Sequence, residues 1–180
     1  MKLGFTALRA TLGAVFFAHG AQKLFGWFGG HGLEATGGAF ESMGLKPGKR
    51  NAVLAGASEA GGGALLALGL ATPAASAALI GVMSQAVRTV HIDKGFFVTD
   101  GGYEYNLVLG AAAFAFADTG PGPWSLDEKL GIRVKGPLVA LAALGAGLAG
   151  PRLLERLAPV PEPAQQSAPQ AAPEPVPATA

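Results

Sequence analysis

The fold this sequence predicts is all-α, a bundle of four membrane-spanning helices with room for a short fifth helix at the C-terminal side, and three observations predict it. Of 180 residues, 50% are hydrophobic and only 14% charged, with a mean hydropathy of +0.38, whereas a soluble domain carries about a quarter charged residues. The apolar residues collect in long runs. The first, Leu8 to Phe28, is about 20 residues long, and at roughly 1.5 Å rise per residue a helix of that length crosses a bilayer core. Finally, the chain holds 28 glycines, and in lipid small residues allow the close backbone approach that holds helices together.

Composition also removes several functions. A formal net charge of +1 leaves no basic stripe to neutralise phosphates, so no nucleic-acid partner is expected. With no cysteine there are no disulfides, thiolate metal sites or thiolate-bound clusters within this chain, and redox chemistry on its own side chains is not expected. No metal site and no covalently bound cofactor is predicted.

The first span carries polar cargo. His19, Gln22 and Lys23 stand at i, i+3 and i+4, so imidazole, amide and ammonium point to one side, which must face other helices or water. A signal peptide is the competing reading, because Met1-Lys2 is basic and Ala18-His19-Gly20-Ala21 loosely resembles a cleavage site. Leu24, Phe25, Trp27 and Phe28 continue the apolar run past that point, so a retained span is expected. Gly29 to Lys49 is glycine-rich with scattered Leu33, Phe40, Met43 and Leu45, which suits a short amphipathic piece at the interface, stopped by Pro47-Gly48.

Ala52 to Leu70 is the second span, with Glu59 well inside it and small-xxx-small spacing at Ala57/Gly61 and Ala60/Ala64. The triple glycine 61–63 lies within the span and is read as packing, not phosphate binding. Ala71-Thr72-Pro73 is a very short turn, with Thr72 as N-cap and Pro73 opening the third span, Pro73 to Val90. Such a turn makes the two helices antiparallel neighbours. Ser84, Gln85, Arg88 and His91 follow at three- and four-residue steps near its end. A fourth span runs from about Tyr103 to Phe116, with Glu104, Tyr105 and Asn106 in its first turns. Phe96, Phe97, Tyr103 and Tyr105 form an aromatic cluster expected near a membrane surface, usually an anchoring belt.

Beyond Phe116 the pattern changes. Asp118 to Asp127 is punctuated by proline and glycine, and Leu126 to Arg133 is polar and amphipathic. Gly136 to Gly150 is apolar but only about 15 residues, short for a span; it reads either as a short fifth span or as a helix packed on the bundle. The domain reading is 1–127 as the helix bundle, 128–157 as an amphipathic segment with the optional fifth helix, and 158–180 as a disordered Pro/Ala-rich tail. Lys46, Lys49 and Arg50 lie on one side and Lys129, Arg133 and Lys135 on the other, so the positive-inside rule gives no firm vote on orientation.

The buried-charge inventory is Lys23 and Arg88 against Glu59 and Glu104, with His19, Gln85 and His91 beside them. Two cations and two acids on four helices either cancel in pairs and fix helix register, or surround a cavity in which imidazoles exchange protons and cations hold an anion or a polarised carbonyl. His19 and His91 stand on different helices, but nothing matches their depths as haem ligands. His31, in a glycine loop, is read as solvated.

Taken together, LGAVFFAHGAQKLFGWFGGHGL, SEAGGGALLALGLATPAASAAL, HIDKGFFVTDGGYEYNLVL and DTGPGPWSLD resemble the DoxX family of small bacterial membrane proteins. The resemblance covers roughly Arg9 to Asp127 and rests on the combination of HGxxK, a mid-span Glu, GFF and GxEY. It implies a four-helix bundle in the bacterial cytoplasmic membrane, associated with thiosulfate:quinone oxidoreductase subunits or with complexes handling oxidative and sulfur stress. The polar positions it carries to this chain are His19, Lys23, Glu59, His91, Glu104 and Tyr105. The fifth apolar segment and the Pro-rich tail are extra to the family pattern.

The functional expectation is therefore a non-catalytic or partly catalytic membrane subunit, more readily this than an enzyme on its own, that links a partner oxidoreductase or sulfurtransferase to the quinone pool. The polar pocket would be formed by His19, Lys23, Glu59, Gln85, Arg88, His91, Glu104 and Tyr105, with quinone as the ligand, the bilayer as surroundings and a homo-oligomer as an option. The alternatives are a small-solute or proton transporter, although inverted repeats and broken helices are not evident, and a structural scaffold.

Overall fold

The computed structural model describes residues 3–157; the expected disordered tail, 158–180, lies outside them. Among the described residues the chain is all helical, with α1 (Leu3–Phe25), α2 (Gly32–Ser42), α3 (Gly48–Leu68), α4 (Thr72–Ala86), α5 (Glu104–Thr119), the single turn α6 (Leu126–Lys129) and α7 (Pro137–Arg156).

α1 and α3 run antiparallel and almost touch along their backbones. A Cβ on Gly13 would lie 2.6 Å from the Gly63 carbonyl oxygen, and one on Gly20 would lie 2.3 Å from the Ala60 nitrogen. Side chains shorter than alanine are therefore what makes this seam possible, the packing mode expected where lipid removes the usual hydrophobic drive. α3 ends in a Schellman turn. Gly69 takes φ 64°, its N–H donates to Leu66 at 2.9 Å and the Leu70 N–H donates to Leu65 at 2.9 Å, satisfying carbonyls that the helix itself cannot.

The next turn corrects one expectation. Thr72 is not the N-cap of α4 but its first residue; Ala71 is the cap, at φ 48°. A side chain far along the chain does the capping instead. Asp127 accepts from the Ala71 N–H at 2.8 Å, the Thr72 N–H at 3.1 Å and the Thr72 hydroxyl at 2.8 Å, covering donors left over at a helix start. α4 then runs back antiparallel to α3 and passes at Val87–His91 into a wider, π-type turn.

The core lies between α1, α3, α4 and α5, where Phe16, Leu66, Leu79 and Phe116 are almost wholly buried. Phe5 tilts against Phe116 with ring centroids 4.9 Å apart. α7 is longer than the expected 136–150. Pro151 lies inside it and the helix continues to Arg156, with Gly147 and Pro151 both packed close to Gly81 of α4. α7 packs on α4 and α5: Ala140 and Ala143 meet Ala117, and Gly147 sits against Ala77 and Ile80. Among the described residues α7 is the helix long and apolar enough to cross a membrane by length and composition, with a mean hydropathy of 1.5 over its most apolar window.

The outward faces are apolar as well. Leu8 on α1, Leu107 and Val108 on α5, and Leu138, Leu141 and Leu148 on α7 are each roughly half or more exposed.

Candidate functional site

Two polar centres lie at opposite ends of the bundle. Near the end where α1 begins, Arg9 is 2% exposed. Its guanidinium donates to the Pro121 carbonyl and, at 2.9 Å, to the Trp124 carbonyl, with Asp127 an anionic neighbour. The Asp127 N–H returns to the Gly69 carbonyl at 2.8 Å. The segment after α5 is thus clasped onto both α1 and the α3–α4 turn. Sequence reading noted Arg9 and the DTGPGPWSLD exit separately and missed their union; a lone arginine facing a Pro/Gly-rich stretch more than a hundred residues away carries no spacing signal.

Toward the other end, Lys23 on the last turn of α1 meets Glu59 in the middle of α3 at 2.5 Å. Glu59 is 4% exposed. Because the glycine seam draws α1 and α3 together, a lysine near the end of one reaches an acid well inside the other. The Lys23 ammonium also donates to the His19 carbonyl at 3.4 Å. The His19 ring itself is exposed.

This ion pair stands in the wall of a cleft of about 400 Å³ between α2, α3, α4 and α7. Most of its lining is apolar, including Leu54, Val82 and Leu154. Polar residues in the lining include Lys23 and Glu59, Gln85 and Glu155, and also Asn51, Ser58 and Thr89. At the α7 side the Gln85 amide donates to Glu155 at 2.8 Å, Arg88 donates to the Gln85 oxygen, and Arg88 lies 3.6 Å from Glu155. Arg88 reaches its partners from the wide turn after α4, a geometry that recurs at functional sites.

Of the eight predicted pocket residues, Lys23, Glu59 and Gln85 line this cleft, and Arg88 is bonded to its rim. The others lie elsewhere. His91 Nδ1 is 2.6 Å from the Gly101 carbonyl; a carbonyl only accepts, so that nitrogen carries the proton. Glu104 accepts the Val98 N–H at 3.0 Å, so both residues hold the 92–103 loop in shape. Tyr105 is 46% exposed. Glu59 and Glu104 were the acids set against Lys23 and Arg88 with no pairing assigned; Arg88 lies 3.6 Å from Glu155 of α7. Glu155 was missed because its helix was expected to stop before it.

The DoxX family model matches residues 4–92. Through this segment the chain belongs to the DoxX family. No curated protein and no solved structure matches it. Membership places this DoxX chain among membrane proteins. The matched segment holds Lys23, Glu59, Gln85, Arg88 and His91, whereas Glu104, Tyr105 and the α7 wall of the cleft lie beyond it.

Proposed function

We propose that this DoxX protein is a multi-pass subunit of the bacterial cytoplasmic membrane that gives a partner oxidoreductase access to the quinone pool, with the cleft as the place where a quinone lodges. One observation carries the reading: an apolar cleft of drug-like volume with a nearly buried ion pair in its wall. Pockets of several hundred Å³ that are apolar with a few convergent polar groups are the usual form of small-molecule sites. The charges in and around this one are already matched, Lys23 with Glu59 and Glu155 with Arg88. A neutral ring with carbonyl acceptors fits such a lining better than an ion, which would arrive without a counter-charge.

The multi-pass part rests on the apolar outer faces of α1, α5 and α7. Exposed apolar faces of this kind mark contact with a membrane or a partner. In hydrocarbon the same faces cost nothing.

Lys23→Met and Glu59→Gln test the reading. Each leaves one member of a buried pair without its partner, so quinone-dependent turnover of the complex is expected to fall at least about tenfold, measured in native membranes with the partner's presence checked by co-purification. Unchanged turnover in both variants would sink the proposal. A second test fills the cleft without touching its polar groups. A Cβ on Gly150 meets nothing within 4 Å and Gly150 lines the cleft, so Gly150→Leu is expected to abolish retention of a tritiated short-chain quinone, with folding checked by the unfolding midpoint. Retention at the wild-type level would mean the quinone lodges elsewhere.

A further inference from the structure

We infer that the end of the bundle bearing α2 and the cleft faces the cytoplasm, against the anionic inner leaflet, so that the chain enters the bilayer from the outside at α1 and leaves it on the inside after α7. The inference rests on the multi-pass reading above and goes beyond it, because it assigns a side to every loop and to the cleft.

Helix directions come from side-chain contacts. α1 and α3 are antiparallel, with Gly13 opposite Gly63 and Gly20 opposite Gly56 and Ala60; α3 and α4 are antiparallel, with Gly62 against Leu79 and Ala75. α5 returns, bringing Phe116 against Phe5. α7 then runs parallel to α4, with Gly147 against Ala77 and Ile80 and Glu155 at Gln85. Five long helices therefore put the start of α1 and the end of α7 at opposite ends of the bundle.

That arrangement sorts the loop charges, which sequence alone left balanced. At the α2 end stand Lys46, Lys49, Arg50, Lys94, Arg152 and Arg156; at the other end stand Lys129, Arg133 and Lys135. Arg9, Lys23 and Arg88 are tied into the bundle and belong to neither count. Among the described residues the α2 end thus carries twice the free cations. In the positive-inside rule lysine and arginine near the span ends decide orientation and acids contribute little, so the Glu34 partner of Lys49 does not cancel its vote. Each such cation is attracted to the anionic inner leaflet. The deciding residues are Arg152 and Arg156, which join the α2 side only because α7 runs on through Pro151. The cleft lies in the same half of the bundle, so it opens to the inner leaflet and a partner subunit reaches it from the cytoplasm.

The chain contains no cysteine, which makes the test clean. Ser42→Cys and Ile132→Cys place single thiols at exposed positions on opposite ends, and the full-length protein is labelled with a membrane-impermeant maleimide in intact spheroplasts and in inverted vesicles. The expected result is Ile132→Cys labelled from outside and Ser42→Cys labelled only from inside. The reverse pattern overturns the orientation while leaving the multi-pass reading standing. Labelling of both thiols from one side overturns the multi-pass reading itself. A second pair, Thr99→Cys and Leu130→Cys, also exposed, must give the same answer.

Discussion

Asp127→Ala is expected to cost the fold about 3 kcal/mol or more, the largest effect of any single change outside the cleft. The carboxylate is 2% exposed and accepts three hydrogen bonds at the start of α4. Each donor left without a partner in a buried setting costs about 1–3 kcal/mol. The loss does not stop there. Arg9, already with its Nε unpartnered, loses the attraction of Asp127 and keeps that of Glu128 beside the Pro121 and Trp124 carbonyls. Asp127→Asn retains one acceptor oxygen and is expected to lose about half as much. Arg9→Met, which removes a buried charge but leaves two carbonyls open to the bundle end, should fall between them. Unfolding in mixed micelles with increasing SDS reads these differences directly; a change under about 0.5 kcal/mol for Asp127→Ala would show that the clasp does not hold the α3–α4 turn.

Gly20→Ala is the second large effect, although it adds a single methyl group. Its Cβ would sit 2.3 Å from the Ala60 nitrogen and 2.5 Å from the Gly56 oxygen. Those are backbone atoms of α3, which cannot swing aside as a side chain does, so the two helices must part. Overpacking of this kind costs about 1–3 kcal/mol, and the upper end is expected because the seam extends through Gly13 and Gly63. Gly61→Ala supplies the control. It lies on α3, the other helix of the seam, with nothing within 4 Å of its added Cβ, and replacing a helical glycine there should be neutral or stabilise by up to about 1 kcal/mol. The seam also sets the reach of Lys23 to Glu59, so Gly20→Ala should lower quinone-dependent turnover. Combining it with Glu59→Gln should cost less than the sum of the two, because both act through one contact. Additive losses would separate the seam from the site.

Much of this molecule was legible in its residues. Apolar runs of helical length, Pro73 as punctuation, and small residues at regular spacing determine an all-α chain of closely packed helices. The pairing of Lys23 with Glu59 was within reach of the same reasoning, since a cation and an acid in adjacent apolar helices have few other ways to be tolerated. The mid-span Glu and the HGxxK pattern also carried the family.

What only tertiary structure decided are the relations between distant segments. Asp127 caps a helix that begins 55 residues earlier, and no local pattern announces a cap supplied from so far away. Arg88 finds Glu155, and the groups expected to form one pocket separate into a cleft wall, a rim and a loop brace, because position on a helix face fixes direction but not which neighbour lies opposite. The last apolar stretch was expected as 136–150, yet α7 runs through Pro151 to Arg156, held on α4 by Gly147 against Ala77 and Ile80, a contact no local pattern shows. Its consequence is the direction of the last helix, and with it the end of the bundle at which two arginines are counted.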